Sequence, residues 1–254
     1  MLPHERVRIA LEGAHPAIVA FLTAGYPDPA TFLDVLRRIA EAADAVEVGV
    51  PFSDPMADGV TIQRSSRLAI EHGVTLKWIL DQLASRDFDL GAPVMLMSYL
   101  NPLLAYGYAA LAERAAAVGV CGFMVPDLPL EESAPLRAAL DAQGLALVQF
   151  VTPATPAERV RELCTASQGF VYAVTKTGIT GGASALPTEL TDYLDSVKRV
   201  SALPVCAGFG VREAAQVEHI AAHADGVIVG SALVEVLERG EDPAAFIASL
   251  RSAP

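Results

Sequence analysis

The sequence predicts a (β/α)₈ barrel with an extra helix at its N-terminus, and three observations carry that expectation. Eight short runs rich in β-branched and apolar residues recur along the chain, and amphipathic stretches of helical period lie between them. Gly, Pro, Asp or Thr punctuates the joins. Eight such units in 254 residues match the size of a closed parallel α/β barrel of the TIM type. A doubly wound open sheet is the alternative, weakened by the evenness of the repeats and by the lack of a Gly-rich dinucleotide turn after the first strand. No low-complexity segment or composition break marks a second domain, so residues 1–254 read as one TIM-barrel domain.

The elements follow in order. The opening stretch "MLPHERVRIALEG" is charged and amphipathic; it has neither the apolar core nor the small-residue cleavage site of a secretory leader. The first strand is "AIVAFLTAG" from Ala17, followed by the helical "DPATFLDVLRRIAEAA" and a second strand, "AVEVGV", from Ala45. "TLKWILDQLASR", with Thr75 as N-cap, leads to "PVMLMSYL" from Pro93. "CGFMVPD" from Cys121, "ALVQFVT" from Ala146 and "GFVYAVT" from Gly169 are the next three strands, separated by "LEESAPLRAALDAQG" and "PAERVRELCTAS". Thr188 caps "TELTDYLDSVKRVS", Pro204 opens the seventh strand "PVCAGFG", and "REAAQVEHIAAHA" leads to the eighth, "DGVIVGS", from Asp225. "GSALVEVLERG" then forms a short helix before the final "DPAAFIASLRSA".

Composition excludes several roles. With 52% hydrophobic and 19% charged residues the chain can fill a large core and is not disordered. A net charge of -12 without a basic stripe argues against nucleic acid as partner, so any phosphate bound is small and locally held. The apolar runs are too short for the ~20 residues that cross a bilayer, and a cytoplasmic protein is expected. Cys121, Cys164 and Cys206 are odd in number, far apart and set in apolar or helical segments, the pattern of reduced core cysteines with no metal role.

In this architecture function belongs at the C-terminal ends of the strands. Alternation in "DAVEVGV" sends Val46, Val48 and Val50 toward the outer helices and Ala45, Glu47 and Gly49 into the barrel. Small neighbours should leave a hollow above Glu47. A carboxylate inside a barrel is costly unless paired or protonated, so its pKa should rise toward neutrality, which suits acid/base work. A structural salt bridge is the competing account, but the strand runs contain no Lys or Arg. Asp58 lies in the loop after that strand; by position alone it, like Asp54, could be a turn residue. Glycine-rich strand ends, "TGITGG", "AGFGV" and "VGSALVE", follow strands 6, 7 and 8, where backbone N–H groups and a short helix commonly hold a phosphate. Phe21, Tyr99, Tyr172 and Phe209 lie where they could line a pocket for a flat apolar ring. These features describe an acid/base enzyme acting on a small phosphorylated molecule with an apolar group, by isomerisation, aldol cleavage or ring closure.

The run "VEVGVPFSDPMADGVTIQ", with "FLTAGYPD", "SYLNPLLAYG", "VPDLPLEESAPLR", "GITG", "AGFGV" and "VGSALV" in the same order, resembles the signature of the tryptophan synthase alpha chain family and covers most of the chain. The resemblance implies retro-aldol cleavage of indole-3-glycerol phosphate to indole and glyceraldehyde 3-phosphate, without metal or organic cofactor. By motif matching, Glu47 corresponds to the family's proton-transferring glutamate and Asp58 to the aspartate that hydrogen-bonds the indole N–H. Gly181, Gly210, Gly230 and Ser231 fall at phosphate-binding positions, and Phe21, Tyr99, Tyr172 and Phe209 at pocket positions. The family works as an αββα complex with a beta chain that carries pyridoxal phosphate, and Asp54, Asn101 and Pro129 fall in segments that face it. A stand-alone lyase releasing free indole and a non-catalytic subunit that activates a beta chain are the alternatives. Three departures stand out: Lys176 where the family often has Arg, Val60 where Pro is usual, and Glu235 where Lys is common. The last should make the surroundings of the phosphate helix less positive.

Overall fold

The computed structural model describes residues 1–14, 16–175, 188–208 and 210–251. Its elements run α1 (Pro3–Glu12), β1 (Ala17–Thr23), α2 (Phe32–Ala42), β2 (Ala45–Gly49), α3 (Val60–Glu71), α4 (Leu76–Ser85), β3 (Val94–Met97), α5 (Leu100–Tyr106) and α6 (Tyr108–Ala117). They continue with β4 (Val120–Met124), α7 (Ala134–Asp141), β5 (Ala146–Val151), α8 (Ala157–Ala166), β6 (Val171–Val174), α9 (Thr188–Val200), β7 (Val205–Gly208), α10 (Ala214–Ala221), β8 (Gly226–Val229), α11 (Ser231–Glu238) and α12 (Pro243–Arg251). The eight strands are parallel, pair in sequence order and close β8 onto β1, a (β/α)₈ barrel.

Strand alternation divides the core into two layers. Ile18, Ala20 and Leu22 of β1, with Val46 and Val48 of β2, face outward and pack under the helices together with Val50, as the valine pattern predicts. Ala17, Val19 and Ala45 face inward with Met95, Met124, Val148, Cys206 and Ile228. The extra helix α1 serves the barrel directly, since its Val7 and Leu11 join this inner cluster and close the N-terminal end. All three cysteines are buried and free.

Local signals mark several boundaries. The Thr75 side chain accepts the Trp78 N–H at 3.1 Å and caps α4. Pro156 stands at the N-cap of α8. Thr188 is the first residue of α9, inside the helix and not before it. Among the described residues no helix is long and apolar enough to cross a membrane.

Candidate active site

Glu47 lies in the middle of β2, in register with Phe21 on β1 and Met95 on β3, and it is fully buried. Neither carboxyl oxygen has a hydrogen-bond partner among the described residues. Burial, reinforced by the charge of Asp58, pushes its pKa up to about 8, so the group holds its proton at neutral pH. Among the described residues no salt bridge reaches it, and the neighbouring strands β1 and β3 bring Phe21 and Met95 beside it, not a cation.

The hollow expected above Glu47 is not empty. A Cβ at Gly49 would meet the Phe21 ring at 2.5 Å from Cζ, so glycine here lets that ring lie across β2. The same device recurs opposite, where a Cβ at Gly208 would meet the Tyr172 ring at 2.8 Å and its hydroxyl at 2.9 Å. Two strand-end glycines, on β2 and β7, thus admit two aromatic rings into the mouth of the barrel. Phe21, Gly49, Asp58, Ile62, Met97 and Tyr99 line one small cavity there. Tyr172 packs on Phe150 with ring centroids 4.8 Å apart, and burial together with Glu47 and Asp58 drives its hydroxyl well above the usual tyrosine range.

Asp58 ends the β2–α3 loop, just before the N-cap Gly59. Its backbone is tied twice: its N–H donates to Pro55 O at 3.1 Å, and Gln63 Nε2 donates to its carbonyl at 2.9 Å. Val60 behind it begins α3 and is exposed. Asp58 Oδ2 accepts the Tyr99 hydroxyl at 3.1 Å, while Ala57 N–H donates to that hydroxyl oxygen at 2.9 Å. Tyr99 is itself held by stacking on Phe52, centroids 5.1 Å apart. Burial raises Asp58 to about 6 and the Tyr99 hydrogen bond opposes the rise, so the group is mostly ionised at neutral pH. The sequence pointed to Tyr99 only as a ring for the pocket wall; its hydroxyl is also a partner of Asp58, and nothing in the local pattern signals that.

Gly210 adopts a left-handed φ of 65° beyond β7. Gly230 is the N-cap of α11, Ser231 its first residue, and the first-turn N–H groups lack intrahelical acceptors, a ready anion site. Phe21 links this end to the carboxylates: a Cβ on Gly230 would lie 3.8 Å from its ring. Gly181, Phe209 and Lys176 lie outside the described residues. Glu235 does not leave the phosphate helix with a bare negative charge, because Arg212 pairs with it at 2.7 Å. Asp54, Asn101 and Pro129 are all exposed on the loops or helix start that follow β2, β3 and β4, along one rim of the barrel. Beside that rim a groove of about 370 Å³, lined by Asp127, Pro129, Thr152 and Arg159 among others, does not include either carboxylate.

Residues 9–251 match the sequence profile of the family described as Tryptophan synthase alpha chain. A tryptophan synthase alpha chain of Nitratidesulfovibrio vulgaris (strain DP4) is 45% identical over 243 residues, 95% of each chain. That of Desulfovibrio desulfuricans is 44% identical over 250 residues, covering 97% of this chain and 98% of the relative. Among solved structures, a chain of M. tuberculosis tryptophan synthase superposes with a TM-score of 0.87 at 34% identity, covering 98% of this chain and 99% of that one. Tryptophan synthase subunit alpha from Legionella pneumophila gives 0.86 at 31%, over 99% and 97%.

Proposed function

The chain belongs to the tryptophan synthase alpha chain family, and from that premise we propose how its own residues cleave indole-3-glycerol phosphate into indole and glyceraldehyde 3-phosphate. The observation that carries the reading is Glu47: a fully buried carboxyl without a partner among the described residues, protonated near neutral pH, in the mouth of a barrel beside a second carboxylate that stays ionised. Two carboxyl groups with separated pKa values can divide acid and base work. Glu47 delivers its proton to indole C3. The carboxylate so formed takes the proton of the adjacent glycerol hydroxyl; that C–O becomes a carbonyl, the C–C bond breaks, and its electrons return to the ring. Glu47 ends protonated as it began. Asp58, ionised, accepts the indole N–H and stabilises the positive charge that C3 protonation places on the ring.

Phe21, Tyr99, Tyr172 and Phe209 surround the indole and glycerol parts, while Gly181, Gly210, Gly230 and Ser231 hold the phosphate through backbone amides and the Ser231 hydroxyl. The chemistry is proton transfer alone, and the alpha chain needs no cofactor of its own. The partner is a beta chain in an αββα complex, docked along the rim that carries Asp54, Asn101 and Pro129; pyridoxal phosphate belongs to that partner. The reaction takes place in the cytoplasm.

The test is release of glyceraldehyde 3-phosphate from indole-3-glycerol phosphate by the purified chain, alone and with a beta chain from the same source. Slow release that rises steeply with the beta chain supports the reading, and fast release indifferent to it refutes the dependence on a partner. The activity of the free enzyme should trace a bell between about pH 6 and about pH 8. Below the lower limit Asp58 takes up a proton; above the upper one Glu47 has lost the proton it must deliver.

A further inference from the structure

Two segments from around the site, the loop after β7 and the start of α3, converge on one carboxylate of α11, Glu235. It lies in the second turn of α11, the helix that begins at the candidate phosphate residues. Arg212, two residues beyond Gly210, grips it with a fork: Nη1 donates to Oε2 at 2.7 Å and Nη2 to Oε1 at 3.0 Å. Thr61, in the first turn of α3 and three residues beyond Asp58, donates its hydroxyl to Oε1 at 3.2 Å, across 174 positions of sequence. One turn further along both helices, Arg64 pairs with Glu238. Underneath, Phe21, Tyr26 and Val234 pack against Ile62 and Leu68. Helices α3 and α11 are therefore joined by a polar seam laid over an apolar one.

Half of the Arg212 side chain is exposed, 54%, against 24% for Glu235. A pair so placed adds little to stability. Its consequences are charge and geometry. A carboxylate in the second turn lies about 6–8 Å along the axis from the helix start, close enough, if bare, to oppose a phosphate dianion bound there. Arg212 cancels that opposition. Thr61 meanwhile fixes the start of α3, and with it the loop end that presents Asp58.

We propose that Glu235, held by Arg212 and Thr61, is a positioning residue that sets the phosphate-holding end of the site against the Asp58 end, with Arg212 neutralising its charge toward the substrate. This rests on the reading of Gly210, Gly230 and Ser231 as a phosphate cradle. KM and kcat for cleavage, inhibition by inorganic phosphate, and thermal melting as a control for folding should be measured on the parent and four variants. Arg212→Gln leaves the charge of Glu235 without its guanidinium partner, with only the neutral Thr61 hydroxyl still bonded to it, and should raise KM and the phosphate inhibition constant together by about 5–10-fold. Adding Glu235→Gln to it should bring both back to within about threefold, since the charge to be cancelled is gone. Arg212→Lys, which keeps the charge but loses the planar fork, should recover most of the phosphate inhibition. Thr61→Val should leave phosphate inhibition unchanged and lower kcat by about threefold, because only the Asp58 side loses its tie. Unchanged constants in Arg212→Gln, a double variant as weak as that single one, or an unaltered kcat in Thr61→Val would each overturn the proposal. Cleavage by a parent that inorganic phosphate does not inhibit would instead refute the cradle beneath it.

Discussion

Asp44 and Glu47 stand three residues apart, one just before β2 and one in its middle, and the barrel treats them in opposite ways. Asp44, just before β2 on the N-terminal rim, accepts the Ile18 N–H at 2.7 Å and an Arg251 N–H at 2.6 Å on one oxygen. Asp225, just before β8 on the same rim, likewise accepts the Val205 N–H at 2.9 Å and meets Lys198 at 3.1 Å. Both tie a neighbouring strand or a helix to the rim and end with their charge satisfied. Glu47, facing the other mouth, is more deeply buried than either and has no partner among the described residues. A buried polar group without a partner costs about 1–3 kcal/mol, a cost the dense two-layer core offsets elsewhere. At the N-terminal rim Asp44 and Asp225 hold the fold, whereas Glu47, turned toward the other mouth, has no partner among the described residues, as the proposed proton transfer requires.

Glu47→Gln breaks the contrast on its functional side and has the largest expected effect. Cleavage should fall by ~10²- to 10⁴-fold in a steady-state assay while inhibition by inorganic phosphate persists; a variant with most of its rate intact would show that the group moves no proton. Its stability should also differ from the parent in a pH-dependent way. Burial raises the folded pKa from an ordinary 4.5 to about 8, so the contribution of Glu47 is full below the ordinary value and is lost as pH rises through the folded one. Between pH 5 and pH 9 the parent should therefore lose roughly 3–5 kcal/mol relative to Glu47→Gln, read by chemical denaturation at both ends. A flat difference would mean that water reaches the carboxyl.

Asp58→Asn should lower the rate by about 10²-fold, because the neutral amide no longer stabilises the charged ring; unchanged kinetics would demote Asp58 to a turn residue. Asp44→Ala tests the opposite rim. It strands the Ile18 N–H and Arg251, and should cost about 1–3 kcal/mol in denaturation while leaving kcat and KM within about twofold. A loss of activity without loss of stability would erase the division between the two rims. Tyr99→Phe is the finest probe. It removes the hydrogen bond that holds Asp58 down, so the acid limb of the pH–rate profile should move up from about 6, with a rate loss of about threefold to tenfold at pH 7. An unmoved limb would mean that another group sets the Asp58 titration.

What could be read from the chain alone was what depends on short-range geometry. The eight strand runs, the Thr75 cap and the inward aim of Glu47 all follow from the period-2 alternation of strands and from caps that act within one turn. The direction of the Glu47 pKa follows as well, since burying a carboxyl among strand runs that hold no Lys or Arg favours its neutral form. What the chain alone left open was every relation that closure of the barrel creates. Phe21 fills the space beside Gly49 because β1 and β2 pair in register, not because of any neighbour in sequence. Tyr99 reaches Asp58 across 41 positions, and Glu235 meets Arg212 and Thr61 across 23 and 174. Local sequence sets the direction of a side chain, because backbone sterics and pleat act over a few residues. Its partners wait for the closing of β8 onto β1, which brings the ends of distant strands to one rim.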